Sequence, residues 1–145
     1  MSPALHTGGL LGSHGVDVRE GPRLLRHLGG GPSLEAHARV HGDLQVSTVD
    51  ELLDLTRSAG LRGRGGAGFP FATKLEVAAA RRTRAEVVVN ASEGEPASFK
   101  DAALVLARPH LVLDGASVTA RACMSASAVV KLSCNMRAIW SSARP

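Results

Sequence analysis

Tyrosine is absent from this chain of 145 residues, and aromatic side chains of every kind make up only 3% of it. A core of stacked rings is excluded, so the interior must be built from Leu, Val and Ala, within a hydrophobic fraction of 44% that is ordinary for a globular domain. Cysteine is nearly absent too. Cys123 and Cys134 are the only two, which excludes a disulfide framework and a cysteine-based zinc site. Two free thiols point to a reducing cytoplasm. No run reaches the roughly 18 apolar residues that a membrane-spanning helix needs. The N-terminus has neither the basic nor the apolar region of a signal peptide. The length is that of one ordinary domain.

Acidic residues are missing from one end. All 13 lie within residues 1–114, where 13 Lys and Arg balance them. Arg121, Lys131, Arg137 and Arg144 carry the whole net charge of +4. Such a tail offers charge to nucleic acid or an anionic membrane, but Trp140 is its only aromatic residue and no repeated aromatic–basic pattern accompanies it, so no nucleic-acid partner is expected. The six His are scattered. His37 and His41 stand one helical turn apart, but the sequence shows no third ligand beside them, and no metal centre is expected.

Local signals define the elements. Ser33 begins a short helix that Gly42 closes. Thr48-x-x-Glu51 fits a capping box, in which each side chain satisfies a backbone N–H of the other. Val49, Leu52 and Leu53 follow on one helical face, and Gly60 stands where a left-handed cap is wanted. Residues 71–82 read as a helix started by Pro70. Glu86–Val89 reads as a buried strand. Residues 100–107 and 111–122 read as two helices broken at Pro109. The alternation implies an α/β layer architecture.

Between these elements lie two loops with chemistry. Residues 63–68, Gly-Arg-Gly-Gly-Ala-Gly, leave the backbone N–H groups open to close approach. Successive inward amides form a concave anion site, and the helix that follows aims its N-terminal dipole the same way. Arg64 and Lys74 add positive charge. The chemistry such a loop serves is phosphate binding; a flexible glycine hinge stands beside it as an equal alternative. A plain Rossmann fingerprint is disfavoured, because a helix rather than a strand precedes the loop. The second loop, Asn90-Ala91-Ser92-Glu93-Gly94-Glu95-Pro96, follows the strand's C-terminal end, where ligands sit in α/β sheets. Asn90 offers an amide to a heterocycle edge, and Glu93 and Glu95 offer carboxylates to hydroxyls. Taken alone, this loop reads first as an ordinary solvated acidic turn.

LRGRGGAGFP followed by Lys74, and then N-x-x-E-x-E-P-x-x-x-K-D, resembles the flavin subunit of NADH dehydrogenases, the 51 kDa subunit of respiratory complex I and its relatives in NAD-linked hydrogenases and formate dehydrogenases. Pro109–Gly115 is similar to that family's next segment. The resemblance covers roughly residues 46–122, and more faintly 32–44. It implies a partial Rossmann-like FMN-binding domain in which NADH passes hydride to FMN and iron–sulfur partner subunits take the electrons. Gly63, Arg64, Gly65 and Lys74 would hold the FMN phosphate and ribityl chain, with Gly68 completing the loop. Asn90, Ser92 and Glu93 would face the flavin. Gly66, Ala67, Phe69 and Glu95 would line the NADH side, and Glu93 and Glu95 would be the catalytic carboxylates. Ser92 replaces the family's usual Asp, and Val77 replaces an aromatic residue of the respiratory members.

These readings divide the chain into a loosely ordered segment 1–45, an FMN/NADH-binding domain 46–122 and a basic tail 123–145, irregular or foreign to the family. The family's second flavin loop and C-x-x-C-x-x-C cluster motif are not found, so a shortened flavin subunit is expected, through natural truncation or a frameshift. The expected function is an FMN- and NADH-binding oxidoreductase component, incomplete alone. The alternative is a non-catalytic remnant that acts as a nucleotide-binding or interaction module.

Overall fold

A computed structural model describes residues 18–45, 48–63, 67–81, 86–93, 98–123 and the backbone of 127–132. Five helices and two strands follow in the order α1 (Leu34–His41), α2 (Val49–Ser58), α3 (Phe71–Ala79), β1 (Glu86–Ala91), α4 (Lys100–Ala107), α5 (Pro109–Ala122) and β2 (Ser127–Leu132). The described residues are mostly helical, and β1 pairs with β2 in a two-stranded sheet. The chain divides into two compact units, residues 44–89 with 114–129, and residues 1–43 with 90–113 and 130–145.

The first of these units is built around α2 and α3. Both halves of the expected capping box are present. Thr48 Oγ1 accepts from the Glu51 N–H at 3.2 Å, and Glu51 Oε2 accepts from the Thr48 N–H at 3.0 Å. Leu52 and Leu53 then face a cluster with Ala72, Leu75, Val118 and Cys123. Leu75 is its most enclosed member, 2% exposed. Burial raises the Cys123 thiol pKa, so this sulfur stays a packing group rather than a nucleophile. Gly60 ends the helix at φ 58°, in the left-handed region that a glycine enters without Cβ strain. On the surface, Arg57 pairs with Glu76 and joins α2 to α3.

In the second unit, Val18 and Leu28 are buried against Leu106 and Ala107. The segment expected to be loose therefore has a packed core over its described part. Two 3₁₀ turns, Arg23–Leu25 and Leu28–Gly30, lead into α1. Ser33 caps this helix by accepting from the Ala36 N–H at 3.2 Å. Arg108, 3% exposed, fastens the same segment by donating from Nη1 to the Gly31 carbonyl at 3.2 Å and from Nη2 to that of Arg26.

Three expectations are corrected. Pro109 does not separate two helices by a gap: it is the first residue of α5, a position where the missing N–H costs nothing and the fixed φ suits the helix. Strand β1 is not buried on both faces. Its exposure alternates, with Val88 54% exposed, because among the described residues its one paired neighbour is β2. The tail is not irregular throughout, since Ser127–Leu132 forms β2.

Candidate nucleotide-binding site

The glycine-rich loop is held closed at its base. Arg62 and Pro70 form an antiparallel bridge, the Gly63 N–H donates to the Phe69 carbonyl at 2.9 Å, and the Phe71 N–H donates to that of Leu61 at 2.9 Å. Arg62 Nη1 reaches the Gly68 carbonyl at 3.2 Å. Gly68 turns the chain at φ 54°. A loop whose ends are tied in this way delivers the chain directly to the start of α3.

That helix start is electrostatically open. Pro70 at the cap position makes no side-chain cap hydrogen bond, and the first turn holds no acidic residue. The first amides of a helix have no partners within it and carry a partial positive charge. Lys74 stands in the same turn, its Nζ 5.8 Å from the centroid of the Phe69 ring, near the limit of a cation–π contact. Phe69 is 46% exposed. An exposed ring, an ammonium group and a helix start without a side-chain cap therefore stand together at one end of α3. Ala67 lies within the described part of the loop; Arg64, Gly65 and Gly66 lie outside the described residues.

The start of α4 is arranged in the opposite way. Glu93 Oε1 accepts from Lys100 Nζ at 2.7 Å, and Oε2 accepts from the Asp101 N–H at 2.9 Å. The Glu93 side chain is 16% exposed. Burial alone raises its pKa, but the hydrogen bonds from Lys100, the Asp101 amide and Ser98, with the charge of Lys100, more than reverse this and hold it below the ordinary glutamate range. A carboxylate with these donors stays ionised and is a poor proton donor. Asn90 is also engaged, its Oδ1 accepting from the Ser92 N–H at 3.1 Å in a local turn. Glu95 lies outside the described residues.

Two contributors, Lys100 and Arg62, stand within the two sequence motifs, but the motifs alone assign neither a role. Lys100 stands seven residues from Glu93 across a loop rather than along one helix, so the loop's fold brings the two together. Arg62 shares its signal with Arg64: both flank the glycines, and sequence alone does not tell the brace from the candidate ligand.

A glycine-rich loop tied at its base and running into a helix without a side-chain cap is an arrangement that suits anions in general. The sequence matches the Nuo51 FMN-binding domain over residues 56–143, and the chain belongs to this complex I 51 kDa family. It is 36% identical over 116 residues to an NADH-quinone oxidoreductase component of Rhizobium meliloti (strain 1021), covering 79% of this chain and 27% of that protein. With the mitochondrial NADH-ubiquinone oxidoreductase 51 kDa subunit of Neurospora crassa it shares 31% identity over 142 residues, 89% of this chain and 27% of the relative. Among solved structures, an air-oxidized NAD+-reducing [NiFe]-hydrogenase matches with a TM-score of 0.66 and 31% identity, over 85% of this chain and 21% of that one. The chain spans about a quarter of the length of these curated relatives. No helix among the described residues is long and apolar enough to cross a membrane.

Proposed function

We propose that the chain binds FMN through the glycine-rich loop and the start of α3, on a partial α/β, Rossmann-like domain. One contrast carries the reading: the start of α4 is already neutralised by Glu93, whereas that of α3 has neither a side-chain cap nor an acid, and of its first amides that of Phe71 is taken by the Leu61 carbonyl. An external phosphate supplies at α3 what Glu93 supplies at α4. The residues fit such a group, since amide donors, the Lys74 ammonium and glycines without side chains are what a phosphate ester needs. Gly63, Arg64, Gly65, Gly68 and Lys74 would hold the phosphate and ribityl chain. Asn90 and Ser92 would offer hydrogen bonds to the ring edge. Gly66, Ala67, Phe69 and Glu95 would line the NADH side.

When bound, FMN supplies a hydride acceptor for NADH and a donor of single electrons to iron–sulfur partner subunits. The chain's own contribution is to orient both nucleotides and exclude water between them. Glu93, ionised and tied to Lys100, orients the acidic loop, and Glu95 remains the candidate for a carboxylate that touches nucleotide. A second reading, a nucleotide-binding module without turnover, is favoured by the same observation on Glu93, whose two carboxylate oxygens are each engaged at the start of α4.

Comparing FMN with riboflavin, which lacks the phosphate, tests the first reading. The intact chain should bind FMN about tenfold or more tightly than riboflavin, and Lys74→Met should remove most of that preference. Equal affinities for the two in the intact chain would sink the phosphate assignment. Anaerobic NADH separates the two readings: bleaching of the bound flavin's visible band supports hydride transfer, and an unchanged band supports the module.

A further inference from the structure

The chain reverses direction between Arg62 and Pro70, which form an antiparallel bridge. Two backbone bonds close the reversal at its base, from the Gly63 N–H to the Phe69 carbonyl and from the Phe71 N–H to the Leu61 carbonyl, each 2.9 Å long. The bond from Arg62 Nη1 is of another kind. It meets the Gly68 carbonyl at 3.2 Å, one residue further into the loop than the carbonyl of Phe69. Gly68 is the residue whose φ of 54° turns the chain toward α3.

Packing does not hold Gly68 in that turn. A Cβ built on it would meet nothing within 4 Å, and a residue without a side chain samples more backbone conformations than any other. Hydrogen bonds to its peptide groups must fix it, and the Gly68 carbonyl has a guanidinium as donor. An ionised donor makes a stronger bond than a neutral one, which offsets the entropy of holding a long, exposed side chain in one rotamer. The same geometry bears on what Arg62 offers a ligand. A nitrogen engaged on a backbone carbonyl is committed to the chain, and an arriving phosphate has to displace that carbonyl to take it.

We infer that Arg62 is a positioning residue for the phosphate and not one of its ligands: it fixes the turn at Gly68, so that the start of α3 and Lys74 stand ready before the anion arrives. The inference rests on the FMN reading of this loop. It sets Arg62 apart from the residues proposed to touch the phosphate, and it fixes where the loss of Arg62 is felt. A site whose competent conformation is only partly populated binds more weakly by that fraction. The deficit then falls on association, whereas loss of a direct contact falls on dissociation.

Stopped-flow quenching of FMN fluorescence by the full chain, native and Arg62→Met, reads both rate constants. The expected result is binding about three- to tenfold weaker in Arg62→Met, with the association rate constant carrying most of the change. Arg62→Lys, which keeps a charged donor, should recover most of the loss. Amide hydrogen exchange in the ligand-free chain provides an arm without FMN. Gly63 and Phe71 should exchange faster in Arg62→Met, while Ala59, bonded to the Leu55 carbonyl at the end of α2, keeps its native rate and shows that the variant is folded. Unaltered exchange at Gly63 and Phe71, native affinity in Arg62→Met, or a loss confined to the dissociation rate overturns the inference and leaves the FMN reading standing. A native chain that binds no FMN overturns both, and is seen before any variant is compared.

Discussion

The Glu93 carboxylate lies 2.7 Å from Lys100 Nζ and accepts the Asp101 amide at 2.9 Å, so one side chain of the acidic loop both pairs with and caps the helix that follows it. This ties the conformation of the loop to an ionisation state. The folded-state pKa of Glu93 is lowered, so its contribution is fully present above the ordinary glutamate pKa and is lost as pH falls through the folded-state value. Unfolding free energy measured by urea from pH 7 down to about pH 3 should decline more steeply in the native chain than in Glu93→Gln. At neutral pH the variant should be less stable by about 1–2 kcal/mol. Parallel pH profiles for the two would show that the carboxylate does not hold the helix.

Leu75 is the deepest side chain of the cluster between α2 and α3, 2% exposed. Truncation to Ala should cost about 2–5 kcal/mol through lost burial and the cavity left behind. Chemical denaturation reads this directly. A loss below about 1 kcal/mol would mean that the α2–α3 layer is not a cooperative core.

Thr48→Ala removes the acceptor for the Glu51 N–H and should destabilise α2 by about 1 kcal/mol. Thr48→Ser, which keeps the hydroxyl oxygen, should restore most of the loss. Failure of serine to rescue would locate the effect in the methyl group rather than the cap.

Gly68 adopts φ 54°, and a Cβ placed there would meet nothing within 4 Å. Gly68→Ala should therefore cost only the left-handed backbone strain, about 1–2 kcal/mol, with no packing penalty. Gly68→Asn, which tolerates that region better, should cost less than Ala when the two are compared by thermal unfolding. An alanine variant as stable as the native chain would show that the turn does not depend on this backbone conformation.

The legible parts of this fold are those encoded locally. Ser33 with Gly42 bounds α1, and Thr48 with Glu51 and Gly60 bounds α2, because each signal acts through hydrogen bonds or backbone angles within a few residues. The glycine-rich loop is legible for the same reason: its meaning rests on the absence of side chains. Pro109 misleads because a proline that breaks a helix interior is favourable at a first turn, and only the preceding chain path separates the two cases. Strand β2 escapes notice in the sequence because its Val129-Val130 pair is short and stands in a stretch of foreign composition. The Arg108 anchor and the contact of the His37 ring with that of His110 join residues more than seventy positions apart, a relation that no local pattern records.

FMN binding at the loop that leads to Lys74 is tested most directly by a fluorescence titration of FMN with the full chain. Saturable quenching with a dissociation constant on the order of tens of micromolar or tighter, weakened at least tenfold by Gly65→Val, which blocks close approach of the phosphate to the backbone, is the expected result. Flavin fluorescence that stays unquenched at a large excess of folded chain, or quenching that Gly65→Val leaves unchanged, would contradict it.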